Sequence, residues 1–164
     1  MAVVSRIEVE RVVRCPFSVA HDYAADFLRD AEREVDVRFP LRDLAGILRG
    51  TMRKPVKLVF ALHPDETDDG RVHDAMLVEW RAGTRLLPDF HGTLRLRIAS
   101  VETTLLTLEG AYRPPFGPAG RIFDAAAGRR IALATMRDLL DRIGDALERR
   151  EAEYRASSAS GSTA

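Results

Sequence analysis

The chain has 164 residues, 46% hydrophobic and 30% charged, which is an ordinary balance for one globular domain with a real core. Its 25 basic and 25 acidic side chains cancel, so no broad field favours nucleic acid or an anionic membrane surface. The single cysteine, Cys15, excludes an internal disulfide framework and a cysteine-based metal cluster, and makes a reducing cytoplasm the expected compartment.

From Val3 to Arg14 the chain alternates as a strand, with Ile7, Val9 and Val13 on one parity and Arg6, Glu8, Glu10 and Arg14 on the other. Arg11 breaks the pattern by falling on the apolar parity. Two readings stay open for it. It is a strand-edge arginine whose stem is buried while its head snorkels to water, or an inward cation that meets an anionic ligand group. Cys15-Pro16 ends the strand, and a helix follows with Ser18 as N-cap and Ala20, Tyr23, Ala24, Phe27 and Ala31 as its buried stripe. Val35, Val37 and Phe39 then alternate as a short strand, Pro40 interrupts, and an irregular segment leads on to Arg49.

Four strands come in close succession. Pro55 to Leu62 carries Val56, Leu58, Phe60 and Leu62 on one face. Val72 to Ala82 carries Met76, Val78 and Trp80; Phe90 to Val101 carries Leu94, Leu96 and Ile98; Thr103 to Tyr112 carries Leu106, Leu108, Gly110 and Tyr112. Such alternation predicts an antiparallel meander with one wet face and one covered face. The acidic turn from Asp65 to Gly70 lacks the glutamate of a calcium loop, since Met76 stands in its place, and reads as a hairpin turn.

Gly117 as N-cap and Pro118 as first helical residue open a long helix that runs to Tyr154. Met136, Leu140, Ile143 and Leu147 form its apolar stripe, and arginines and aspartates fill the other face. At on the order of 54 Å the helix exceeds one compact domain, so its end after Glu148 is expected to fray or project. Residues 1–155 read as a single domain and 156–164, small and polar, as a disordered tail.

This order of elements resembles the START-like SRPBCC superfamily of polyketide cyclases, lipid-transfer proteins and pollen-allergen-type ligand binders. The residues that carry the likeness are the first strand running into CPFSVAHDYAADF, the strand segments EWRAG and FHGTLRLRI, and the run LEGAYRPPFGPAGRIFDAAAGRRIA. That last run is similar to the closing strand and helix start of bacterial members. The resemblance implies an α+β helix-grip fold, in which a bent antiparallel sheet wraps a long C-terminal helix over an apolar cavity. It implies no shared catalytic set.

A strongly bent sheet cannot lie flush along a straight helix, so large side chains or a ligand must fill the gap. The expected lining is Phe60, Met76, Val78, Trp80, Leu94, Leu96, Leu106, Leu108 and Tyr112 from strands, with Phe123, Ala127, Ile131, Met136 and Leu140 from the helix. The alternative is that these residues pack as a solid core. His91, at a strand start near the expected pocket mouth, is the histidine best placed to move protons, with Tyr112 and Arg11 as further polar candidates. A surface histidine is the plainer reading. His21 has Asp26 five residues on and off its helix face, a poor spacing for a metal, and no metal or cofactor is expected.

No serine elbow, phosphate-cradling loop or dinucleotide fingerprint is present, and no basic stripe interleaved with aromatics suggests nucleic acid. The N-terminus lacks a signal-peptide pattern, and no apolar stretch approaches membrane-spanning length, so stable membrane insertion is not expected. The first reading is therefore a binder, carrier or store of a hydrophobic or aromatic small molecule. A cyclase or dehydratase acting on polyketide-like substrates in the same cavity is the second, and a protein-partner module is the third.

Overall fold

Among the described residues six strands and two helices follow one another as β1 (Ser5–Val13), α1 (Phe17–Ala31), β2 (Val35–Pro40), β3 (Thr51–His63), β4 (Asp74–Arg81), β5 (Asp89–Ile98), β6 (Thr104–Arg113) and α2 (Ala125–Gly161), in a computed structural model of the chain. It describes residues 5–31, 35–40, 51–63, 74–81, 89–113 and 125–161, with backbone but not side chains in β2 and β3 and at scattered further positions.

All strand pairs are antiparallel and lie in the order β1-β6-β5-β4-β3-β2. From β2 to β6 each strand pairs with its successor, and β1 joins at the far side of β6. The first two strands of the chain are thus the two edges of the sheet. In-register pairing carries one side-chain parity from strand to strand. Val9 opposes Leu108, Leu108 opposes Leu94, and Leu94 opposes Met76. All four are buried, so this row belongs to the covered face. The other parity carries Arg6 and Arg95, which pair with Glu109 at 2.8 and 2.6 Å and so account for the near burial of its carboxylate on the outer face.

The long helix meets the sheet mainly at its edges. Close backbone approaches of α2 are to β1 and β2, then to β6, while β4 and β5 approach it only sparsely. A sheet that touches one helix at both edges must curl around it, and right-handed strand twist supplies that curvature. α1 packs beside α2 and against β3 and β5. This is the α+β helix-grip architecture. Among the described residues no helix is long and apolar enough to cross a membrane.

Several element details depart from expectation for identifiable reasons. α1 begins at Phe17, before a Ser18 cap would allow. The amides of Val19 and Ala20 donate to the Pro16 carbonyl at 3.2 and 3.0 Å. The Thr104 hydroxyl donates to the Cys15 carbonyl at 2.7 Å, so β6 pins the turn and Ser18 faces water. The buried stripe of α1 is Ala20, Ala24, Ala25 and Leu28; Tyr23 and Phe27 stand half-buried at its margin. Arg150 of α2 lies 4.9 Å from the Tyr23 ring centroid, a cation–π contact that holds the ring at the rim.

β3 starts at Thr51 rather than Pro55. Pro55 pairs with Asp36 of β2, and the described pairing with β4 begins at Lys57. The predicted helix start at Gly117-Pro118 and the turn from Asp65 to Gly70 lie outside the described residues. At its other end α2 is helical to Gly161, past the predicted fraying point and through most of the predicted tail. Arg155 explains part of this, pairing with Glu151 at 2.7 Å and with Glu102 of the β5–β6 turn at 2.5 Å. The hydroxyls of Ser157 and Ser160 donate back to the carbonyls of Tyr154 and Ala156 within the helix.

Candidate functional site

The concave face of the sheet and the inward stripe of α2 enclose one apolar cluster. Of the expected lining, Met76, Val78, Leu94, Leu96, Leu106, Leu108, Met136 and Leu140 all lie in it. Ile7, Val9 and Phe90 from the sheet and Ala132, Leu139 and Ile143 from α2 join them, although the expected set omits these six. Backbone register pairs Phe60 with Val78, Trp80 with Phe90, and Tyr112 with Phe90, which puts these three on the same parity rows. Ala127 and Ile131 are in the first turns of α2, and Phe123 lies outside the described residues.

Two glycines shape the floor. Gly92 and Gly110 face one another across β5 and β6. A Cβ at Gly110 would stand 2.5 Å from the His91 carbonyl oxygen and 2.6 Å from the Phe90 ring; one at Gly92 would overlap the Glu109 carbonyl and the same ring. Phe90 therefore folds its ring over a cross-strand pair that has no side chains of its own, a covering that protects glycine backbone in sheets. The concave surface is smooth and aromatic at this level.

Two of the polar candidates are turned elsewhere. His91 lies between buried Phe90 and Gly92, so the pleat sends its side chain to the outer face, where it is 64% exposed and its Nδ1 is 2.5 Å from Glu79 Oε1. It cannot move protons inside the sheet's curve. Arg11 keeps the inward parity but meets the protein's own anions instead of a ligand's. One guanidinium nitrogen donates to the Asp141 carbonyl at 2.6 Å and to its carboxylate at 3.3 Å. The other donates to Asp145 at 2.7 Å and to Glu148 at 3.3 Å. Burial works against this charge, but the hydrogen bond to Asp145 and the charges of Asp145, Asp141 and Glu148 outweigh it and raise the guanidinium above its ordinary pKa. Arg11 is a fixed clamp between β1 and α2.

Cys15 is fully buried, and burial pushes its thiol up to about 11, with the Glu151 and Glu148 carboxylates adding and Arg155 opposing. A thiol so held is no nucleophile at neutral pH.

Sequence reasoning passed over the inward polar group that the fold does supply. Thr135 of α2 is 0% exposed, and its hydroxyl has no hydrogen-bond partner. It sits on the stripe of Ala132, Met136 and Leu139, and a lone hydroxyl at that helical spacing was the available signal. Among the described residues the interior is thus an apolar enclosure with one unanswered hydroxyl and no inward acid–base pair. It is suited to holding a neutral, apolar body.

This arrangement defines the class: the chain has a START-like helix-grip fold. The Zhui aromatase/cyclase from Streptomyces sp. R1128 superposes with a TM-score of 0.53 at 16% identity, covering 94% of this chain and 98% of that one. A norcoclaurine synthase point mutant from Thalictrum flavum gives 0.49 at 10% identity, with 92% and 98% covered. A START superfamily protein from Mycobacterium smegmatis gives 0.47 at 11%, with 91% and 98% covered. No protein-family model and no curated protein sequence matches the chain.

Proposed function

We propose that the protein binds a hydrophobic small molecule, preferably flat and aromatic, between the concave face of its sheet and α2. The observation that carries this reading is the edge contact of the helix. α2 meets β1 and β2 most closely, and over the middle of the sheet it faces β4 and β5 through apolar side chains on both sides. Those side chains are apolar, and the Phe90 ring over Gly92 and Gly110 offers a flat surface to stack on. Apolar ligand surface brought there would contribute roughly 25 cal/mol per Å² before ordering costs, enough for a guest without any charged contact. Native mass spectrometry of freshly purified protein tests the reading: a bound mass lost on denaturation is expected. Bare chain only, with no uptake of added naphthalene derivatives, would overturn it.

A cyclase-like enzyme in the same interior is the second reading, favoured by the likeness to an aromatase/cyclase over nearly the whole chain. It requires at least two polar groups at one substrate. With His91 and Arg11 committed elsewhere, Thr135 and Tyr112 are the remaining candidates, so binding ranks ahead of turnover.

A further inference from the structure

We propose that the projecting end of α2 is the interface for a second copy of this chain, with two such ends paired antiparallel about a two-fold axis. Both covered surfaces of the fold outrun their cover at one end of the molecule. On α2, Leu140 and Leu147 are buried, and Tyr154, the next residue at that seven-residue step, is 61% exposed. On β5, Leu94 and Leu96 are buried, and Ile98, next on the same parity, is 62% exposed. The ion pair between Arg155 and Glu102 brings the two overruns together, beside Val101 in the β5–β6 turn. Four large apolar residues stand exposed among those described, and three of them therefore border one notch. The fourth, Val12, lies on the outer parity of β1.

The arm itself indicates what covers this notch. From Ala152 to Ser160 every side chain of α2 is exposed, and the helix continues to Gly161. Alanines and serines without packing gain little by staying helical, so such an arm is stabilised chiefly by what lies against it. Along the stripe that continues Leu140 and Leu147 the arm is large and then small: Tyr154, Ser158 one turn on, and Gly161 after it. That order complements itself when the second copy runs the opposite way. A two-fold axis level with Ala156 sets each Tyr154 ring on the partner's Ser158 and lays the small end of each arm beside the other's notch.

Charge favours the same occupant. Between Ala152 and Gly161 the arm carries one carboxylate, Glu153, and one guanidinium, Arg155, so two arms do not repel. Arg150 and Arg155, which border the stripe, are paired with Asp26 and with Glu102 and Glu151. Neither is available to draw an anionic membrane or an acidic peptide. Two short arms make an interface near the lower limit for specific association, so the dimer forms in the micromolar range.

Sedimentation equilibrium of the full chain between about 1 and 100 µM tests this, and monomer and dimer in exchange are expected over that range. Tyr154→Ala removes the ring, and Ser158→Glu puts a charged side chain where the partner's ring must lie. Each is expected to weaken dimerisation about tenfold or more. Val12→Ser, on the outer face of the sheet, is expected to leave it unchanged. All three positions are exposed in the single chain, so each variant melts within about 2 °C of the parent under monomeric conditions. A parent that stays monomeric at about 100 µM overturns the proposal. So does a dimer that survives either Tyr154→Ala or Ser158→Glu, or one that Val12→Ser abolishes, since the interface would then lie elsewhere. None of these outcomes bears on the binding of a small molecule in the interior.

Discussion

Arg11 occupies the space that a side chain at position 144 would need, and this inverts an ordinary rule about helices. Replacing an interior helical glycine by alanine usually stabilises by about 1 kcal/mol. At Gly144 the new methyl would stand 2.6 Å from the Arg11 Cζ and Nε, so the guanidinium must leave its seat against the Asp141 carbonyl. Gly144→Ala is expected to give no gain, or a net loss, in urea unfolding. In an Arg11→Ala background the same change should recover about 1 kcal/mol, because the obstruction is gone. A full gain in the parent protein would show that Arg11 does not lie there. Cys15 supports a pH prediction at the same scale. Its folded pKa of about 11 stands above the ordinary value of 9.0. Stability linked to the neutral thiol is therefore complete below about pH 9 and is lost as pH rises towards 11, by about 2 to 3 kcal/mol in all. Cys15→Ala should flatten that part of the stability–pH curve. Native protein should also resist iodoacetamide at pH 8 until denatured, and rapid alkylation would contradict the burial assigned to this residue.

Among the elements, β5 and β6 carry the tightest geometric demand. Gly92 and Gly110 have no room for a Cβ because backbone carbonyls and the Phe90 ring stand where it would go. Backbone cannot yield as a long side chain can, so Gly92→Ala and Gly110→Ala should each destabilise by about 1 to 3 kcal/mol in chemical denaturation. Two near-neutral variants would mean that the ring does not cover the pair. The alternation of β5 and β6 was legible in the sequence because pleat parity is local: Leu94 and Leu96, like Leu106 and Leu108, declare one buried face within a few residues. The same parity already implied that His91, next to Phe90, would point outward. What local pattern does not contain is a partner far along the chain. Nothing near Arg11 announces Asp141, Asp145 and Glu148, and nothing near Glu109 announces Arg6. Leu28, rather than Phe27, faces the core of α1 because Tyr23 is drawn to the rim by Arg150, another contact made by the fold. The C-terminal end of α2 depends on contacts of the same long-range kind. Serines weaken a helix on average, but here their hydroxyls fold back onto helical carbonyls and Arg155 ties the helix to Glu102.

For the molecule as a whole, the helix-grip order could be read from the sequence because it is set by the succession of one strand, one helix, a meander and a long amphipathic helix. The covered parity of the strands could be read with it, since those residues must face α2 or α1. The polar content of the interior did not follow, because it depends on which hydroxyl is left unanswered once every long-range pair has formed, and only Thr135 of the described buried set is. A guest that enters this interior must also stabilise the fold, because the site exists only when sheet and helix are together. At a concentration of 1-naphthol one hundred times its dissociation constant, linkage gives about 2.7 kcal/mol. For a chain of this size each kcal/mol corresponds to about 2 to 4 °C, so the melting temperature should rise by roughly 5 to 11 °C. The exposed apolar residues Ile98 and Val101 at the β5–β6 end offer a competing place for the same probe. The two locations respond to opposite substitutions. Leu94→Trp crowds the interior and should abolish the rise, whereas Ile98→Ser should leave it unchanged. A rise that survives Leu94→Trp and disappears in Ile98→Ser would put the guest at the exposed β5–β6 end, and the interior would then be a core and nothing more.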